Sequence, residues 1–79
     1  MYRIVLIAPD VKTSERWMKI WQPEIDVGNF GMALVEQDGE ILVVAQFDSS
    51  EMLAHMAARA ASLLEAAGID GLSLIIERR

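Results

Sequence analysis

The chain has no cysteine, one histidine, two prolines and five aromatic residues, and it is short of positive charge. Without cysteine there is no disulfide staple and no thiol chemistry, which suits a reducing compartment such as the cytoplasm. Lone His55 has no second histidine to share a metal, and neither zinc-ligand spacing, a phosphate-cradling glycine loop nor a Ser-His-Asp arrangement is present. Seven Lys and Arg against twelve Asp and Glu leave a net charge of −5. That balance disfavours direct nucleic-acid binding and favours basic protein partners. No run approaches the roughly 20 apolar residues of a membrane span. The opening apolar run stops at Pro9, unlike a signal peptide. What the chain does have is apolar material: 53% of 79 residues. Residues 1–79 read as a single domain near the lower limit for a self-sufficient core. That much apolar material in so small a domain points to association.

The best-specified stretch is 47–69, FDSSEMLAHMAARAASLLEAAGI. Asp48 reads as an N-cap, with Glu51 completing a capping box and Phe47 stapling to Met52. Gly68 can take the left-handed conformation that closes a helix, folding Ile69 back on Leu64. At 100° per residue Met52, Leu53, Met56, Ala60, Leu63, Leu64 and Ala67 form one broad stripe. Glu51, His55, Ser62 and Glu65 fall opposite, among small alanines.

The remaining elements follow from pattern and punctuation. Residues 2–8, YRIVLIA, form a continuous apolar run that predicts a central strand buried on both faces. Thr13 or Ser14 can cap a short helix over 14–22, which Pro23 would stop; 23–29, PEIDVGN, then reads as a loop. FGMALVEQ (30–37) and EILVVAQF (40–47) flank Asp38-Gly39, the strongest short-range hairpin signal. That turn sets Gln37 opposite Glu40, Leu34 opposite Val43 and Phe30 opposite Phe47. LSLIIERR, from Leu72 to the end, predicts a fourth strand. The expected fold is α+β: a four-stranded antiparallel sheet with one long helix and a short first helix on one face, in the ferredoxin-like βαββαβ plan. By alternation the helix side of the sheet carries Phe30, Met32, Leu34, Ile41, Val43 and Ala45. The other side carries Val5, Ile7, Ala33, Val35, Leu42, Val44 and Ile75, nearly as apolar and with no residues left to cover it. Such a face on an isolated chain implies an interface, most economically with a second copy.

FDSSEMLAHMAARAASLLEA resembles the end of the third strand and the second helix of dimeric α+β barrel proteins, the antibiotic-biosynthesis-monooxygenase-like group. The likeness spans residues 30–79 and includes that group's Ser-x-Glu…His pattern in Ser49 or Ser50, Glu51 and His55. It implies dimerisation through the open sheet face, and a cofactor-free monooxygenase-like or ligand-binding activity. The short first helix expected here departs from that group, in which this helix helps build the ligand cavity. In type alone, a small acidic αβ domain is also similar to phage-encoded anti-defence proteins such as anti-CRISPR proteins, with no motif shared.

Each candidate site has a bland counterpart. His55, between Glu51 and Arg59, fits either a general base or a solvated helix residue. Glu36, Asp38 and Glu40 crowd the hairpin tip, either as a solvated edge that discourages strand pairing or as a phosphate-mimicking surface for a basic partner. Arg16, Trp17, Lys19 and Trp21 are of hot-spot type, yet tryptophans at helical spacing usually complete a core. The expected function is therefore a non-catalytic, cytoplasmic interaction protein without cofactor or metal. It is expected to form a homodimer and to inhibit or modulate a larger protein or ribonucleoprotein complex.

Overall fold

A computed structural model describes residues 1–78. The elements run β1 (Tyr2–Ala8), α1 (Val11–Gly28), β2 (Gly31–Gln37), β3 (Glu40–Phe47), α2 (Ser50–Ala67) and β4 (Ser73–Arg78). The fold is α+β. The strands form one antiparallel sheet in the order β2-β3-β1-β4. β1 is thus central, as its unbroken apolar run requires, and Ile4, Val5 and Leu6 are all buried. The last residue of the predicted fourth strand, Arg79, lies outside the described residues.

Both helices pack on one face. Ile4 and Leu6 of β1 join Val43, Ala45 and Phe47 of β3, Trp17, Trp21 and Ile25 of α1, and Leu53, Met56 and Ala60 of α2 in one buried cluster. The spacing Trp17, Trp21, Ile25 places one side chain per turn on the inner side of α1. The hairpin has the expected register, with Gln37 opposite Glu40 and Leu34 opposite Val43. Asp38 and Gly39 both have positive φ, 52° and 80°, the turn geometry that asparagine, aspartate and glycine tolerate best. Beyond the strand end, Phe30 and Phe47 meet edge to face with centroids 4.8 Å apart.

The first helix differs most from expectation. It is not a short helix over 14–22 followed by a loop; it runs 18 residues, as long as α2. Asp10, not Thr13 or Ser14, is its N-cap, the carboxylate accepting from the Thr13 amide at 2.7 Å. Ser14 is an interior residue, buried, with its hydroxyl donating to the Val11 carbonyl. Pro23 does not stop the helix. A proline inside a helix removes one hydrogen bond and costs about 3 kcal/mol. Here that loss is offset by burial of Ile25 and by a complete C-terminal cap. Asn29 takes φ 56°, its amide donating to Asp26 while the Phe30 amide donates to Ile25. Gly68 closes α2 with the same pair of bonds, to Glu65 from its own amide and to Leu64 from Ile69, as its sequence predicts.

At the start of α2 the cap is Ser49, whose hydroxyl accepts from the Met52 amide at 3.1 Å. Asp48 stands one residue outside, so the Asp48–Glu51 capping box is replaced. With the cap at Ser49, Met52 is the third helical position rather than the fourth, off the place a staple to Phe47 requires, and it is 38% exposed.

Candidate functional site

The face away from the helices is bare, and its residues fall into four cross-strand rows. Gly31, Gln46, Arg3 and Glu77 form the first row; Ala33, Val44, Val5 and Ile75 the second. Val35, Leu42, Ile7 and Ser73 form the third, and Gln37 and Glu40 the last. Two apolar rows are therefore bounded by a polar row at each end. On the outer strands Val35 and Ile75 of this face are 38% and 44% exposed, much as Leu34 and Ile76 are on the helix side (42% and 46%). On the central strands Ile4, Leu6 and Val43 under the helices are 0% exposed, whereas Ile7, Leu42 and Val44 of the open face are half-buried and Val5 is buried between its neighbours. Twist makes the bare face an open trough of about 330 Å³, lined by Arg3, Val5, Ile7, Val35, Leu42, Val44, Ile75 and both polar ends. Arg3 is ion-paired with Glu77 across β1 and β4, and its Nε is buried with no acceptor among the described residues.

Glu36, Asp38 and Glu40 are all exposed at the hairpin tip, around a second shallow recess. They do not point alike: Glu40 follows Leu42 and Val44 onto the open face, whereas Glu36 follows Leu34 and Met32 onto the opposite one. Among the described residues no group of three or more metal-ligating side chains converges.

The cluster predicted on the first helix is dispersed. Trp17 and Trp21 are both 0% exposed, their rings 5.1 Å apart and tilted by 41°, so neither is available to a partner. Their indole N–H groups are buried without acceptors among the described residues. Arg16 donates from its guanidinium to the carbonyl of Ala67 at 2.9 Å. It thus completes an otherwise orphaned carbonyl at the C-terminus of α2, where a cation also complements the helix dipole. Lys19 alone of the four stays at the surface without such a task. This capping role of Arg16 was not visible in sequence, because its partner lies 51 residues away.

His55 is exposed on the outer side of α2 and lines neither recess. Arg59, one turn on, is held by Glu24 of α1 at 2.7 Å. Hydrogen bonds from Thr13, the backbone amide first, hold the Asp10 carboxyl below its usual value of 3.8. No helix among the described residues is long and apolar enough to cross a membrane. No protein-family model matches the chain, and no curated protein matches its sequence.

Proposed function

We propose that the chain is a non-catalytic interaction protein that works as a two-fold homodimer, with the bare sheet faces packed together. The observation that carries this reading is the pair of apolar rows on a face that no element covers. Leaving such a patch in water forfeits roughly 25 cal/mol for each Å² that could be buried. In so small a domain that is comparable with the whole stability. The element order and the central placing of β1 and β3 support grouping the domain with the ferredoxin-like plan. The exposed acidic tip supports action on a basic surface of a larger protein or ribonucleoprotein complex. Inhibition of the anti-defence kind is the concrete version. Light scattering on wild type and Val44→Glu across a concentration series tests the dimer. Wild type should have twice the monomer mass and Val44→Glu the monomer mass. A wild type that stays monomeric at high micromolar concentration contradicts the reading.

A second reading, a ligand-binding or cofactor-free monooxygenase-like member of the dimeric α+β barrel group, gains support from α1. Its 18 residues remove the departure expected from a short first helix. Against it, Trp17 and Trp21 fill the space between α1 and the sheet, and His55 borders neither recess. Soaking the protein with small aromatic ligands separates the readings: saturable binding lost in His55→Ala would favour the second.

A further inference from the structure

We propose that the two sheets of this dimer pack with their two-fold axis running across the strands, so that the row of each copy that carries Arg3 lies over the partner's row that carries Glu40, the two side chains one strand apart. The inference rests on the homodimer just proposed and adds its register. The four rows of the open face carry their charges only at the ends. Arg3 and Glu77 occupy the first row, and Glu40 the last, with Asp38 beside it at the turn. A two-fold axis between face-to-face sheets lies in their common plane, and sheets pack either aligned within about 30° or near right angles. With the axis along the strands, like rows superpose. The last rows, which carry Glu40 and Asp38, then bring carboxylates against carboxylates as water is being removed, while the first rows, with Arg3 already paired to Glu77, offer them nothing. With the sheets crossed at right angles, Arg3 is laid over the apolar residues of an outer strand and buried without an added partner. With the axis across the strands, the first row of each copy covers the last row of the other, and apolar rows meet apolar rows.

Arg3 is suited to that position. A guanidinium has five N–H donors, and the Glu77 pair engages one terminal nitrogen while Nε is buried with no acceptor among the described residues. A second carboxylate from the partner would supply acceptors that the isolated chain lacks. Because the interface is isologous, the contact is made twice. The arrangement also divides the hairpin tip: Glu40 faces the second copy, and Glu36, on the other side of β2, stays available to an outside partner.

The test is a charge-exchange cycle read by sedimentation equilibrium on wild type, Arg3→Glu, Glu40→Arg and the double variant, each checked for folding by circular dichroism. The register predicts that each single change raises the dimer Kd about tenfold or more, because complementary charges become like charges. The double variant should return to within about threefold of wild type. Higher salt should shrink the differences. Arg3→Glu also sets two carboxylates side by side with Glu77 and could fail to fold. A second measurement therefore uses the absence of native cysteine. Chains carrying Gln46→Cys and Gln37→Cys are mixed and treated with a short bismaleimide, since sheets about 10 Å apart are too far for a direct disulfide. Cross-linking between the two kinds of chain supports the axis across the strands, and Gln46→Cys linked to itself supports the axis along them and overturns the register. A dimeric wild type whose Kd is unmoved by Glu40→Arg overturns the register and leaves the dimer standing. A monomeric wild type overturns both.

Discussion

The two faces of this sheet are built from nearly the same kinds of residue and differ in what lies on them. β3 shows this within two adjacent positions. Val43 is fully buried under the helices, while Val44, its neighbour, is only half-buried on the bare side. In an antiparallel sheet with one face in solvent, the bare side normally alternates to polar residues. Here polarity is confined to the end rows and to Ser73 on the edge strand β4, and the middle of the face is a second apolar surface. Burial in the isolated domain thus reports how far the helices cover the central strands, and composition alone singles out the middle of the open face.

The largest expected effect breaks the comparison at β3. Val43→Glu puts a carboxylate into the closed core, and an unpaired buried charge there should cost at least about 3–5 kcal/mol, enough to unfold much of the population. Val44→Glu should leave the fold intact and abolish the dimer. Chemical denaturation with light scattering reads both, and equal loss of fold in the two would mean that both faces are core of a single chain.

A smaller effect probes how the covered face is closed. At Gly28 an added Cβ would lie 2.0 Å from the ring of Phe30, which is pinned against Phe47. Gly28→Ala should therefore cost about 1–3 kcal/mol in a urea melt, without changing the dimer Kd corrected for folding. Smaller still, Ser49→Ala should lose about 1 kcal/mol from the start of α2, while Asp48→Ala should lose much less. The reverse order would move the cap back to Asp48.

The least effect is a titration. Asp10 has its carboxyl lowered in the folded state, so its stabilisation is fully present above the ordinary value of 3.8 and is lost as pH falls through the lowered one. Asp10→Asn keeps a capping oxygen but removes the titration. Its stability should fall less steeply than that of wild type below about pH 4, and parallel acid limbs would remove Asp10 from the account.

Local signals in the sequence specified much of this. The unbroken run 2–8, the Asp-Gly turn and Gly68 each act over a few residues, and each element stands where they place it. The membership of both sheet faces followed from alternation once the hairpin register was set. The extent of α1 was not legible, because Pro23 is a local stop signal overridden by distant packing of Ile25 and by Asn29 closing the helix. The start of α2 was ambiguous for a simpler reason: Asp48, Ser49 and Ser50 are all competent caps, and the exit of the chain from β3 selects among them. Of the candidate site, the tip carboxylates were legible as exposed. The fates of Trp17, Trp21 and Arg16 depended on which helix packs beside them, which spacing alone does not carry.

Small-angle X-ray scattering on the wild-type protein at high micromolar concentration tests the central claim most directly. The isolated chain has a Cα radius of gyration of 11.6 Å and a shortest extent of 18 Å. Two copies stacked through their sheets, with centres about one such thickness apart, should give about 15 Å and twice the monomer's forward scattering, with the inter-sheet gap at about 10 Å. A radius near that of the single chain, with monomer mass throughout the series, would contradict the account.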